Sequence, residues 1–235
     1  MSEATSKRFW KNTEVIESGA GFCVALDGRP VRTPAKVALE VPTRAMAEAL
    51  AREWDAQEGK VDPTKMPLTR TANAAIDKVA PQHAEVAELL AAYGDSDLLC
   101  YRATSPQELV ERQERIWGPL LDWAADVLGA RLVPVQGVIH EPQDAQTLKQ
   151  LETQVGNMTN FQLAGFHDLV GLSGSLIIGF AAARKHLKVD VLWECSRLDE
   201  SWQEEQWGED EAAATQSALK KQAFFDAETF FHLCE

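Results

Sequence analysis

The segment GLSGS at residues 171–175 is the part of the sequence closest to a nucleophilic-catalysis motif, and His167 and Asp168 lie just before it. A nucleophile elbow requires Gly-x-Ser-x-Gly on a strand-to-helix turn, which exposes the serine to the substrate. Here the last position is Ser175, and no parallel-sheet pattern precedes the segment. The favoured interpretation is helix packing, in which the small residues of this region form a central buried helix or a tight helix pair. A serine hydrolase centred on Ser173 and His167 is the enzymatic alternative.

Other catalytic and cofactor-binding motifs are not found in the sequence. No P-loop pattern occurs, and the GAG segment at residues 19–21 has neither the third glycine nor the following helix of a dinucleotide-binding motif. No two of the five histidines have ligand spacing on one helix face. The DSD segment at residues 95–97 could bind a cation, although such residues more often form caps and turns. The sequence therefore predicts no catalytic residue, no metal site and no cofactor.

An acidic segment, DESWQEEQWGEDE, covers residues 199–211 and combines seven carboxylates with two tryptophans and no basic residue. This charge density is typical of a solvated helix face, and Trp202 and Trp207 would then fill the helical core. Like charges four residues apart, such as Glu200 and Glu204, destabilise an isolated helix. Large aromatic side chains beside charges are also typical of protein-binding surfaces. The alternative is therefore a patch that binds a basic, partly apolar protein surface.

Short, half-buried strands are predicted in the N-terminal part, because Phe22, Val24 and Leu26 recur at every second residue. The Asp-Gly pair at residues 27–28 supplies the turn that follows.

Helical patterns begin with an apolar stripe at Met46, Leu50 and Trp54, and Trp54 is expected to be structural. Ser105 and Glu108 predict a capping box at the start of a later helix. Leu192, Cys195 and Trp202 begin a further helix, which Gly208 could terminate.

Charge and pattern together predict a two-domain α+β protein. The first domain, residues 1–65, is small and β-rich, and the second, residues 66–235, is larger and all-helical. The first contains 10 basic and 10 acidic side chains, whereas the second contains 13 basic and 26 acidic ones. The whole net charge of −13 therefore belongs to the helical part.

Seven blocks of the sequence occur in an order that is specific to one family. They are RFWKNTEV, LDGRPVRTP, AREWDAQ, MPLTRTANAAID, DSDLLCYRA, GFHDLVGLSGSLIIGFA and SRLDESWQEEQWGEDE. From Arg8 almost to the C-terminus, the chain resembles the assembly chaperones for the alpha subunit of the F-type ATP synthase catalytic sector, of the mitochondrial and alphaproteobacterial type.

This resemblance implies a small β-rich domain followed by a larger helical one, in agreement with the pattern. It implies a chaperone, not an enzyme, that binds the unassembled alpha subunit transiently and prevents its self-association until it assembles with beta. It also implies a role for acidic residues of the helical domain, which fall here on Asp199, Glu200 and Glu211. Together with their neighbours, the predicted protein-binding residues are Asp199, Glu200, Glu204, Trp207, Glu209 and Glu211.

Composition limits the possible partners, and the resemblance bears on location. The net charge of −13 argues against nucleic acid and anionic membranes as partners. The longest apolar run spans 15 residues, which is too short for membrane insertion. The four widely spaced cysteines indicate reduced thiols, and no import signal is recognised at the N-terminus. The resemblance implies a bacterial cytoplasmic protein, or one of the mitochondrial matrix for a processed eukaryotic chain, and we expect it to be a monomer. A homo-oligomeric structural protein that associates through its aromatic C-terminus is the remaining alternative.

Overall fold

A computed structural model describes residues 7–19 and 21–235 of the chain. The residues cluster into two compact units. The N-terminal unit comprises Met1–Gln82, Thr159–Gly165 and Thr229–Glu235, and the helical unit comprises His83–Met158 and Phe166–Glu228. The predicted domain boundary after residue 65 stays a prediction.

The sheet of the N-terminal unit is antiparallel. Its strands are β1 (Thr13–Ser18), β2 (Gly21–Leu26), β3 (Arg29–Pro30) and β4 (Glu40–Val41), and β2 pairs with each of the other three. The predicted turn after β2 is confirmed, because residues 27 and 28 both have positive φ angles. The prediction that β2 is half-buried is wrong, because its residues 23–26 are all buried. Helix α1 (Arg44–Asp55) packs on β1 and β2 and covers part of the sheet.

The apolar stripe of α1 enters the core of this unit as the sequence predicts. The Thr43 hydroxyl caps the helix by accepting from the Met46 backbone N–H at 3.1 Å. Met46 and Leu50 are fully buried, and Trp54 packs half-buried against the same core. Its ring lies edge-on to that of Trp10, with the two centroids 5.4 Å apart. A structural role for Trp54 agrees with this position.

Helix α2 (Pro67–Ala74) follows a 3₁₀ turn at Pro63–Lys65 and continues through a π-helical turn at Ala75–Val79 into a second 3₁₀ turn at Ala80–Gln82. Two backbone N–H groups of its first turn donate to the Glu53 carboxylate at 2.8 Å each. Glu53 therefore binds α2 to α1.

The helical unit begins with α3 (His83–Ala91), and 3₁₀ turns at Ala92–Ser96 and Leu98–Cys100 follow. Strand β5 (Tyr101–Arg102) pairs in parallel with β6 (Val135–Gln136). The remaining elements are α4 (Gln107–Trp123), a π-helical turn (Ala124–Leu128), α5 (Ala145–Gly156), α6 (Asn160–Ser173), α7 (Leu176–Ala183), α8 (Val189–Ser196), α9 (Leu198–Trp207) and α10 (Glu211–His232). A small strand-bearing region followed by a larger helical part confirms the predicted α+β class.

The predicted cap of α4 is wrong. The residue that precedes the helix is Pro106 in extended backbone, and no side-chain capping hydrogen bond is found at this end of the described helix. Ser105 lies outside the helix, since its successor already occupies the cap position.

The segment GFHDLVGLSGSLIIGFAAA forms a tight helix pair, one of the two arrangements that its small residues suggested. Gly174 ends α6 with φ +72°, a conformation that favours glycine. The Ser175 hydroxyl then caps α7 by accepting from the Ile178 N–H at 3.0 Å. Within residues 7–19 and 21–235, no helix has both the length and the apolar character needed to cross a membrane.

Candidate protein-binding surface

The acidic segment forms helix α9, a short turn and the start of α10. Gly208, with φ +91°, ends α9 as the sequence predicts. Asp210 caps α10, because its carboxylate accepts from the Ala213 N–H at 2.8 Å. Carboxylates near a helix N-terminus are favourable because they face the positive end of the helix dipole. The clustering of acids at Glu209, Asp210 and Glu211 is therefore compatible with a stable start of α10.

Three other carboxylates of the segment contact side chains within the helical unit. The Asp199 Oδ1 accepts from the Gln113 Nε2 at 2.7 Å. Glu200 forms an ion pair with Arg197 one turn earlier. Glu205 pairs with an arginine of α4 at 2.9 Å. Of the six predicted binding residues, Asp199 and Glu200 therefore have a side-chain partner within the protein.

The remaining predicted residues face solvent. Glu204, Glu209 and Glu211 are exposed, and none of them forms an ion pair within the part of the chain that the structure describes. Trp207 is 79% exposed, which is unusual for the largest apolar side chain. The structure therefore brings an exposed tryptophan and unpaired carboxylates together at the end of α9 and the start of α10. We call Glu200, Glu204, Trp207, Glu209 and Glu211 the acidic surface.

The two tryptophans of the segment have different surroundings. Trp202 is half-buried, and the Arg112 guanidinium lies over its ring at 5.1 Å from the centroid. Trp207 does not fill the helical core, so the interpretation of both tryptophans as core residues is wrong for Trp207.

A groove of about 420 Å³ lies beside the acidic surface, between α8 and α9 on one side and α10 on the other. Its lining includes both signs of charge. Three acids and three bases line it: Glu194, Glu200, Glu204, Arg197, Lys220 and Lys221. The groove is therefore close to neutral, and the unpaired negative charge lies toward the end of α9.

The residues of the enzymatic alternative have structural surroundings. Ser173 is 2% exposed, and its hydroxyl donates to the Leu169 carbonyl at 2.7 Å. The His167 Nδ1 contacts the carboxylate of Asp168 at 3.0 Å, and this hydrogen bond raises the pKa of His167. A buried serine that donates back to its own helix lacks the exposure that a nucleophile elbow provides. The hydroxyl of Ser173 is thus part of the packing of the α6–α7 pair.

The carboxylates of the alternative cation site at residues 95–97 also accept hydrogen bonds from protein groups. The Asp97 carboxylate is fully buried and accepts from the Ser175 hydroxyl at 2.8 Å and from the Ile177 and Leu99 N–H groups at 3.0 Å. Asp95 accepts from the Gln143 N–H. Within the described residues, no cluster of three or more His, Cys, Asp and Glu side chains is placed to hold a metal ion.

Sequence reasoning missed the residues of α4 and β5 that hold α9. Gln113 and Arg112 are far from the acidic segment along the chain, and no local pattern marks them. Arg102 lies in the block DSDLLCYRA, which carried the family resemblance without indicating a role for this residue.

Comparison with known proteins places the chain in a class of chaperones. A family model described as "ATP12 chaperone protein" matches residues 7–125. The chain therefore belongs to the ATP12 chaperone family, which takes part in ATP synthase assembly.

The relatives include bacterial and mitochondrial proteins. The crystal structure of Atp12 from Paracoccus denitrificans is 46% identical in sequence, covers 97% of this chain and 98% of its own, and superposes with a TM-score of 0.95. A solved structure from Agrobacterium tumefaciens is 41% identical and has a TM-score of 0.94, covering 97% of this chain and 86% of its own. The mitochondrial protein atp12 of Schizosaccharomyces pombe is 27% identical over 221 residues, which is 88% of this chain and 76% of that protein.

Proposed function

We propose that this chaperone binds the unassembled alpha subunit of the F-type ATP synthase transiently and prevents its self-association until it assembles with beta. The observation that carries the proposal is the exposed Trp207 beside the unpaired carboxylates Glu204, Glu209 and Glu211. Membership of an ATP synthase assembly family supports the choice of client.

The chemistry of the acidic surface favours a basic, partly apolar client surface. A tryptophan buries a large apolar area when a partner covers it, and such residues carry much of the binding energy at protein interfaces. Carboxylates around it select partners of opposite charge and accelerate their association. The free chaperone is expected to be monomeric, and light scattering that gives the mass of a single chain would support this.

Calorimetric titration with isolated alpha subunit tests the surface directly. Trp207→Ala and Glu209→Lys should each weaken binding by about tenfold or more, as expected for central interface residues. Both side chains are exposed, so the melting temperature should change little.

Glu88→Lys is the matched control for charge, because Glu88 is an exposed carboxylate on α3 and the substitution changes the net charge equally. Wild-type affinity in both surface variants, or an equal loss in Glu88→Lys, would contradict the proposed surface. A light-scattering mass of a stable oligomer would instead support the structural homo-oligomer.

A further inference from the structure

Gln113 connects three elements of the helical unit. It lies on α4 and is 1% exposed. Its Oε1 accepts from the Ala103 N–H, just after β5, at 2.8 Å. Its Nε2 donates to the Asp199 Oδ1, in the first turn of α9, at 2.7 Å. Both polar atoms of this buried amide are thus used, which is the arrangement that makes a buried polar side chain favourable.

A buried arginine lies in the same region. Arg102 is 7% exposed, and its Nε donates to the Leu99 carbonyl at 2.9 Å. Its Nη1 is 3.6 Å from the Glu114 carboxylate, and its guanidinium lies over the Trp117 ring. Burial lowers the pKa of Arg102, and the negative charges of Glu114 and Asp199 oppose this effect. The charge of Asp199 therefore compensates a buried cation and does not only face solvent.

A second contact holds α9 farther along its length. Arg112, the neighbour of Gln113 on α4, pairs with Glu205 at 2.9 Å and covers the Trp202 ring. The residues of α9 that contact α4 side chains are thus Asp199, Trp202 and Glu205. Glu200, Glu204 and Trp207 follow a spacing of four and three residues, which places them on another face of the helix.

We propose that Gln113 is a positioning residue that fixes α9 about its axis and thereby directs Glu204 and Trp207 toward the client. Successive residues of an α-helix are about 100° apart, so even a small rotation of α9 redirects its exposed face. Asp199 then acts through Gln113 inside the chaperone and does not contact the client. The effect of Gln113 on client binding rests on the proposed function. Its positioning of α9 rests only on the contacts between α4 and α9.

Hydrogen exchange of the free, full-length chaperone tests the positioning without any client. Gln113→Leu removes the donor to Asp199, and Asp199→Ala removes the acceptor. In either variant the amides of residues 202–207 should exchange about tenfold faster, because the hydrogen bond that ties the helix to Gln113 is lost. Amides of the buried end of α10 should stay protected, since the loss is local.

Gln107→Leu is the matched control, because Gln107 is an exposed glutamine on the same helix. If Gln113→Leu does not fold, Asp199→Ala gives the same information. Unchanged exchange of α9 in a folded variant of either kind would overturn the positioning role.

Binding to isolated alpha subunit tests the consequence. Asp199→Asn removes the charge but keeps an oxygen that accepts from Gln113, and Glu114 still faces Arg102. It should therefore retain affinity within about threefold, because the hydrogen bond that positions α9 is kept. Gln113→Leu should weaken binding about tenfold, and the double variant Gln113→Leu/Asp199→Ala should be no weaker, because both changes break the same contact.

The outcomes separate this inference from the proposed function. Loss of affinity in Asp199→Asn with normal α9 exchange, or additive losses in the double variant, would show that Asp199 contacts the client directly and would overturn the inference. If the wild-type chaperone does not bind alpha subunit, the proposed function fails, and the exchange experiment alone decides the positioning of α9.

Discussion

Asp97 shows how a single buried carboxylate can hold several elements of the helical unit. It accepts from the backbone of the Leu98–Cys100 turn and from the hydroxyl and backbone at the start of α7. These donors lower its pKa, but burial is the larger effect and raises the pKa of Asp97 to about 6. The residue is therefore structural, and it makes folding depend on pH.

The pH dependence has a defined sign. The folded state has the higher pKa and binds the proton of Asp97 more tightly than the unfolded chain, whose ordinary value is 3.8. The stabilisation from this proton is complete below about pH 3.8 and is lost as the pH rises to about 6. The difference between the folded-state and unfolded-state pKa values of Asp97 corresponds to roughly 3 kcal/mol of folding stability.

Urea unfolding of wild type and Asp97→Asn between pH 4 and 7 measures this effect. Asp97→Asn should be the less stable variant at low pH, since its amide NH₂ faces a backbone donor. Its deficit should shrink as the pH rises toward 6. A deficit that is independent of pH would show that Asp97 does not titrate in this range.

At the scale of elements, two glycines of the α6–α7 pair have opposite roles. A Cβ at Gly179 would lie 2.8 Å from the Val170 Cγ2 and 3.2 Å from the Phe166 ring, so this glycine permits the close approach of α7 to α6. A Cβ at Gly171 would meet no atom within 4 Å. Helix packing therefore requires a glycine at position 179 but not at position 171, although both glycines occur in one sequence block.

Alanine at the two positions should change stability in opposite directions. Gly179→Ala should destabilise by up to about 2 kcal/mol, because overpacking costs about 1–3 kcal/mol and helix propensity returns about 1. Gly171→Ala should stabilise by roughly 0.5–1 kcal/mol through propensity alone. Chemical denaturation of the pair measures both, and equal effects would contradict the close approach at Gly179.

At the scale of the whole molecule, charge is the dominant property. The net charge is −13, and the whole excess lies in residues 66–235. An excess of one sign keeps a protein soluble and accelerates the approach of partners of opposite charge. For the proposed capture of a client before it self-associates, rapid association is the useful consequence.

Association with alpha subunit should therefore slow as salt is added. Between 0.05 and 0.5 M salt, the association rate constant should fall by about tenfold, because the Debye length shortens and screens the attraction. Dissociation should change much less. Stopped-flow measurement of the change in tryptophan fluorescence on mixing gives both rates. An association rate that is insensitive to salt would exclude electrostatic attraction.

Local patterns were sufficient for much of the fold. The turn after β2, the buried stripe of α1 and the end of α9 at Gly208 each follow from residues within a few positions, because backbone conformation and helical periodicity are local properties. The same is true of the acidic segment, whose composition alone marked a candidate surface. The sequence blocks also identified the family, which the comparisons confirmed.

The roles of individual side chains depended on the tertiary structure. Asp199 and Gln113 are 86 residues apart, and Arg112 and Glu205 are 93 apart, so no local spacing brings them together. Only helix packing decides which carboxylates of α9 meet a partner on α4 and which, like Glu204, stay unpaired. The sequence by itself determined where the acids lie along α9. Packing decided which of them face the solvent, because a helix of given sequence can be turned toward its neighbour in more than one way.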